Sequence, residues 1–223
     1  MHVYEKRFDE ILRNIEAVRL RVNQHQIVKI VAASKSASTE MIEHMYNIGH
    51  RAFGENRIQD MSEKVNLLER LPLEWHFIGR LQTNKINQLI LLEPFLLHSL
   101  SSLELAKELD KRLEAKEKIL MALLQINSAY EPQKAGVLPE EALDIYEQIT
   151  LTCKHIQLKG VMSIGAHAEE RQLVQKSFEK TYKIFESLNQ KEAKYCSMGM
   201  SGDYELAVEC GSNMLRLGSV LFN

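Results

Sequence analysis

The sequence predicts an α/β fold: a single (β/α)8 barrel of the TIM type, with one extra helix at its N-terminus. Three observations predict it. Short apolar runs alternate with helical patterns along the chain, giving eight strand candidates with seven helices between them. One further amphipathic pattern stands in front. Polar side chains and glycines gather where the strand candidates end, the rim on which α/β folds place their chemistry. A doubly wound open sheet is the other arrangement the alternation permits.

In chain order, Tyr4, Phe8, Ile11, Ile15, Val18 and Val22 recur at spacings of four and three, the stripe of an amphipathic helix. The pattern ends too soon for a long coiled coil, so the helix is expected to pack on its own domain. The strands are expected at Lys29–Ser34, Arg51–Gly54, Trp75–Gly79, Phe95–Ser99, Ile119–Asn127, Leu158–Ile164, Tyr195–Met198 and Met214–Gly218. Between them fall helical patterns at Thr39–Ile48, Arg57–Arg70, Asn84–Glu93, Leu103–Lys116, Pro139–Cys153, Arg171–Leu188 and Asp203–Cys210. Pro139 is read at an early helical position, where its missing N–H costs nothing. No linker, repeat or low-complexity tract interrupts the series, so residues 1–223 read as one domain.

At 223 residues with a formal net charge of −2, the chain carries neither a basic face for nucleic acid nor a strong acidic field. Its three cysteines form no CxxC pair, which suits a reducing compartment. The charged N-terminus lacks a secretion signal, and no apolar run approaches bilayer length. A cytoplasmic location is the expectation. His44, His98, His155 and His167 show no ligand spacing with one another or with cysteine, which argues against zinc.

The run Val28-Lys29-Ile30-Val31-Ala32-Ala33-Ser34-Lys35 reads as a buried parallel strand that delivers Lys35 to the rim. An amine partly withdrawn from water there attacks an aldehyde and holds it as a Schiff base, although most lysines in such loops are simply solvated. Asn56 follows the second strand and would cap the next helix or face the rim. His76 lies between Trp75 and Phe77, as a core histidine or as a site residue. Met200-Ser201-Gly202-Asp203 and Gly218-Ser219 offer backbone N–H groups suited to phosphate, while Asp203 and Glu205 are expected to turn away from it.

Five blocks taken together resemble a known family: Ala32-Ala33-Ser34-Lys35, Phe53-Gly54-Glu55-Asn56, the eleven residues from Trp75 to Lys85, Ser197 to Asp203, and Arg216-Leu217-Gly218-Ser219. They look like the signatures of the pyridoxal phosphate homeostasis proteins, the YggS/PROSC family of PLP-binding proteins. The resemblance spans nearly the whole chain. It implies a fold-type III barrel like the N-terminal domain of alanine racemase. It implies that Lys35 holds pyridoxal 5′-phosphate (PLP) as an internal aldimine, and that Ser201, Gly218 and Ser219 hold the phosphate. Arg216 would face the pyridine nitrogen, and Asn56, His76 and Met198 would line the pocket. Lys134, in the family's Lys-x-Gly segment, would sit near the rim. Two departures bear on loop shape: Ile164-Gly165-Ala166-His167 lacks the family's usual proline, and Ser36-Ala37-Ser38 lacks its further lysine or polar pair.

An arginine at the pyridine nitrogen stays cationic and disfavours the pyridinium that serves PLP enzymes as an electron sink. Alanine racemase shares that arrangement but takes a second base from another domain, and here the sequence ends directly after the eighth strand. The expectation is therefore a PLP carrier, a monomer or weak dimer that passes cofactor to apoenzymes. A PLP-dependent amino-acid racemase is the alternative, and a barrel without cofactor is a third class.

Overall fold

A computed structural model describes residues 2–188 and 192–222. Eight parallel strands close into a barrel in sequential order, β1 Lys29–Ala33, β2 Ala52–Glu55, β3 Glu74–Phe77, β4 Leu96–Leu100, β5 Leu120–Ile126, β6 Ile156–Ser163, β7 Tyr195–Ser197 and β8 Met214–Leu217. The pairing of β1 with β8, from Lys29 beside Met214 to Ala32 beside Leu217, rules out the open sheet. The helices between strands are α2 Thr39–Asn47, α3 Ile58–Leu67, α4 Ile86–Leu91, α5 Leu103–Glu114, α6 Ala142–Thr152, α7 Arg171–Ser187 and α8 Tyr204–Glu209. Helix α1, His2–Val22, precedes them, and a short α9, Ser219–Phe222, follows β8.

Each strand sends alternate side chains to opposite faces, so the core has two compartments. Val31, Ala52, Leu96, Leu123, Met162 and Met214 fill the barrel interior. Phe53, Phe77, Leu97, Leu124, Val161, Cys196 and Leu215 face the helices. Gly160 in β6 holds φ at +135°, and a Cβ there would meet the Tyr195 carbonyl oxygen at 1.9 Å. Only glycine lets β7 approach this closely.

Helix α1 packs on its own barrel against α8 and α9, burying Ile11, Ile15 and Val18. The Tyr204 hydroxyl accepts from Asn14 at 3.0 Å. Val22, at the end of the stripe, is exposed.

Several boundaries differ from the sequence reading. Strand β1 stops at Ala33 because the chain turns, with Ala37 N–H donating to the Ser34 carbonyl. Strand β3 starts one residue early and leaves the ladder before Gly79, and β8 ends before Gly218. Pro139 is not helical: its carbonyl accepts from Ala142 N–H in the turn that leads into α6. Among the described residues, no helix is long and apolar enough to cross a membrane.

Candidate functional site

The C-terminal ends of the strands share one rim, and the structure brings most of the expected residues to it. Ala33 pairs with Gly54 on one side, and its carbonyl oxygen lies 3.3 Å from where a Cβ on Gly218 would be. The turn bearing Lys35 therefore stands between the ends of β2 and β8. Lys35 itself is exposed, two residues beyond the strand. The expectation of an amine withdrawn from water is corrected on this point: Lys35 stands exposed in the turn that follows Ala33.

Asn56 is exposed at the end of β2. It does not cap α3, whose capping position belongs to Arg57 without a side-chain bond. A Cβ on Gly79 would meet the Asn56 carbonyl oxygen at 1.9 Å, so Gly79 is what lets the two loops touch.

The loops after β7 and β8 are tied together at Ser201. Its hydroxyl oxygen accepts from the backbone N–H groups of Gly218 at 3.2 Å and Val220 at 3.3 Å. Ser219 is exposed beside them. Asp203 is used elsewhere, its carboxylate accepting from Met200 N–H at 2.6 Å. Burial pushes that carboxyl above its ordinary range.

Arg216 points into the barrel and is 5% exposed. Its guanidinium donates to the Ser197 carbonyl at 2.9 Å, to the Ser197 hydroxyl at 2.7 Å and to the Ser163 carbonyl at 2.9 Å. Burial lowers its pKa to about 10, so it remains a cation at neutral pH.

Beneath it a row of polar groups crosses the interior. Ser197 Oγ lies 3.2 Å from His98 Nδ1, and His98 Nε2 lies 2.9 Å from His76 Nδ1. His76 Nε2 faces a Glu74 carboxylate oxygen at 3.8 Å, a charge contact rather than a hydrogen bond. Glu74 also pairs with Lys29 at the opposite end of the barrel. Contact with His76, then with Lys29, holds its carboxyl down to about 2.

The Arg216 guanidinium at one end and the negative charge of Glu74 at the other favour one direction along this row. A guanidinium only donates, and an ionised carboxylate only accepts. In that direction the Ser197 hydroxyl oxygen accepts a hydrogen bond from Arg216 and its hydrogen is donated to His98 Nδ1. Each histidine is then neutral with its hydrogen on Nε2. Burial, before any other cause, lowers the pKa of both.

Two expectations change here. His76 is fully buried and does not reach the rim directly; it connects to Arg216 only through His98 and Ser197. Met198 is fully buried among the residues that face the helices, because the alternation that turns Ser197 inward turns Met198 outward. Sequence spacing gave no hint of His98. The signal available was its inward register, two residues after Leu96, on the strand beside that of His76.

Lys134 is at the rim as expected. Its ammonium bonds Glu131 at 2.8 Å and the Gly165 carbonyl at 2.6 Å, joining the loops after β5 and β6. Lys85 ends a short 3-10 turn between β3 and α4.

Residues 7–223 match the family model of the alanine racemase N-terminal domain. A pyridoxal phosphate homeostasis protein of Helicobacter pylori is 55% identical over 219 residues, covering 98% of each chain. Among solved structures, PipY of Synechococcus elongatus with PLP bound superposes with a TM-score of 0.80 at 28% identity, covering 95% of this chain and 99% of that one. An alanine racemase of Clostridium difficile shares the fold, with a TM-score of 0.74 at 17% identity over 94% of this chain and 55% of that one.

Proposed function

The chain belongs to the family of pyridoxal phosphate homeostasis proteins, and from that premise we propose that it binds PLP at Lys35, acting as a carrier without turnover. PLP would be held at Lys35, whose amine is the group suited to reversible condensation with the aldehyde that PLP would supply. The protein's own groups do the rest. Ser201, Gly218 and Ser219 would receive the phosphate, in the two loops that the Gly218 and Val220 N–H bonds to the Ser201 hydroxyl hold together. Asn56 lines the rim, Arg216 faces the ring nitrogen, and His76 and Met198 support the pocket from within the core. Residues 1–223 act as one PLP-binding unit that passes its cargo to apoenzymes.

The observation that bears on turnover is the buried Arg216, an arrangement that alanine racemase shares, so it weakens carbanion chemistry without excluding it. Three hydrogen bonds hold it in place, and it stays cationic at neutral pH. Beside a pyridine nitrogen it opposes protonation of that nitrogen and weakens the electron sink that carbanion chemistry uses.

The purified, PLP-loaded protein is incubated with each L-amino acid and assayed for the D-isomer. A carrier gives none above background. D-isomer formation that disappears in Lys35→Ala establishes the racemase reading instead.

A further inference from the structure

Directly beneath the turn of Lys35 lies a buried ion pair that the row through Arg216 does not include. Glu55 is fully buried on the helix-facing side of β2, the side on which Phe53 stands two residues earlier. Its Oε1 accepts from Lys64 of α3 at 2.7 Å and from the Ser34 hydroxyl at 2.6 Å. The same ammonium donates to the Ser34 carbonyl at 2.6 Å. That carbonyl also accepts from Ala37 N–H at 2.9 Å, and Ser34 N–H donates to Gly54 at 2.9 Å.

Every polar group of Ser34 is thus engaged, including the carbonyl of the peptide that joins it to Lys35. The Lys35 side chain, in contrast, is in solvent on a flexible four-carbon stem. Its placement over the rim is therefore set by the backbone at Ser34. An ion pair is a costly way to fill such a place, because a well-packed apolar pair is often as stable or more so. A requirement for geometry accounts for its presence better than a requirement for stability.

We propose that Glu55 and Lys64 are positioning residues for Lys35, clamping the Ser34–Lys35 peptide so that the amine meets an aldehyde at the rim. The proposal rests on the reading of Lys35 as the PLP-binding lysine.

The full chain carrying Glu55→Met and Lys64→Met together is compared with the unaltered protein in three measurements: thermal midpoint, affinity for pyridoxine 5′-phosphate, and rate of PLP capture at Lys35. Pyridoxine 5′-phosphate is the alcohol analogue and cannot form the bond. Capture is followed by borohydride trapping and peptide mass spectrometry. The expected result is a midpoint equal to or above that of the unaltered protein, unchanged affinity for the alcohol, and capture slowed about tenfold or more. A folded double variant that captures PLP at the unaltered rate overturns the proposal, as does equal weakening for the alcohol and the aldehyde. If the double variant does not fold, Lys64→Gln decides on the same measurements. If the label in the unaltered protein lies on another lysine, the reading of Lys35 fails first, and the two failures are told apart.

Discussion

Arg216, His98 and His76 owe their states to neighbours distant in sequence. His76 and His98 are 22 residues apart, and His98 and Ser197 are 99 apart. Adjacent strands and the barrel interior bring them into line. For this reason His98 carried no signal as a motif, while Arg216 was legible as a strand-end residue. Lys35 was legible as a rim lysine, but its exposure depends on a turn that the apolar run does not announce.

The directional argument predicts the Nε2–H tautomer for both histidines. Nitrogen-15 correlation spectra of the labelled protein check this, and Nδ1–H signals from either residue would contradict it. Ser197→Ala removes an acceptor from Arg216 and a donor to His98. It should cost about 1–3 kcal/mol in urea unfolding, as for a buried group left unpaired. It should also shift the visible absorbance of the PLP-loaded protein; a spectrum identical to that of the unaltered chain would detach the row from the cofactor.

The order of strands and helices was readable from hydrophobic period alone, because each strand is buried on both faces and each helix on one. Ends were harder to read. Gly79 and Gly218 stand just past their strands, at places set by contacts with Asn56 and Ala33 rather than by propensity. The pairing of Glu55 with Lys64 was hidden because helix α3 must fold back on β2 before the two meet.

One element-scale contact has a measurable pH signature. His50 bridges α1 and β2, with its ring edge-on to Phe8 at 5.3 Å and to Phe53 at 5.2 Å. Burial lowers its pKa to about 4 from an ordinary 6.5. Between those values the unfolded chain binds a proton that the folded chain refuses. Stability is therefore complete above about pH 6.5 and falls as pH drops toward 4, with His50 contributing about 3 kcal/mol to the loss. The lowered values of His76 and His98 act in the same direction. Urea unfolding at pH 7.5 and pH 5 should show the decline, and His50→Gln should flatten it. Equal stability at both pH values would contradict the assignment.

At the scale of the molecule, the closed barrel turns separate loops into one site. Lys35 follows β1, Asn56 follows β2, Ser201 follows β7 and Ser219 follows β8, and ring closure between β1 and β8 makes them neighbours. Fixed groups line that rim on one side: Ser201 ties two loops, and Arg216 is braced from below. The one long side chain in solvent among them is Lys35. On the proposed reading, a rigid cradle would orient the anion and the ring, and the Lys35 amine would make and break the bond that retains them.

The most direct measurement is borohydride reduction of the PLP-loaded protein followed by peptide mass spectrometry. The account predicts one phosphopyridoxyl group, on the peptide containing Lys35, and none in Lys35→Ala. A group found on Lys64, Lys85 or Lys134 instead, or no group at all in the unaltered protein, would contradict it.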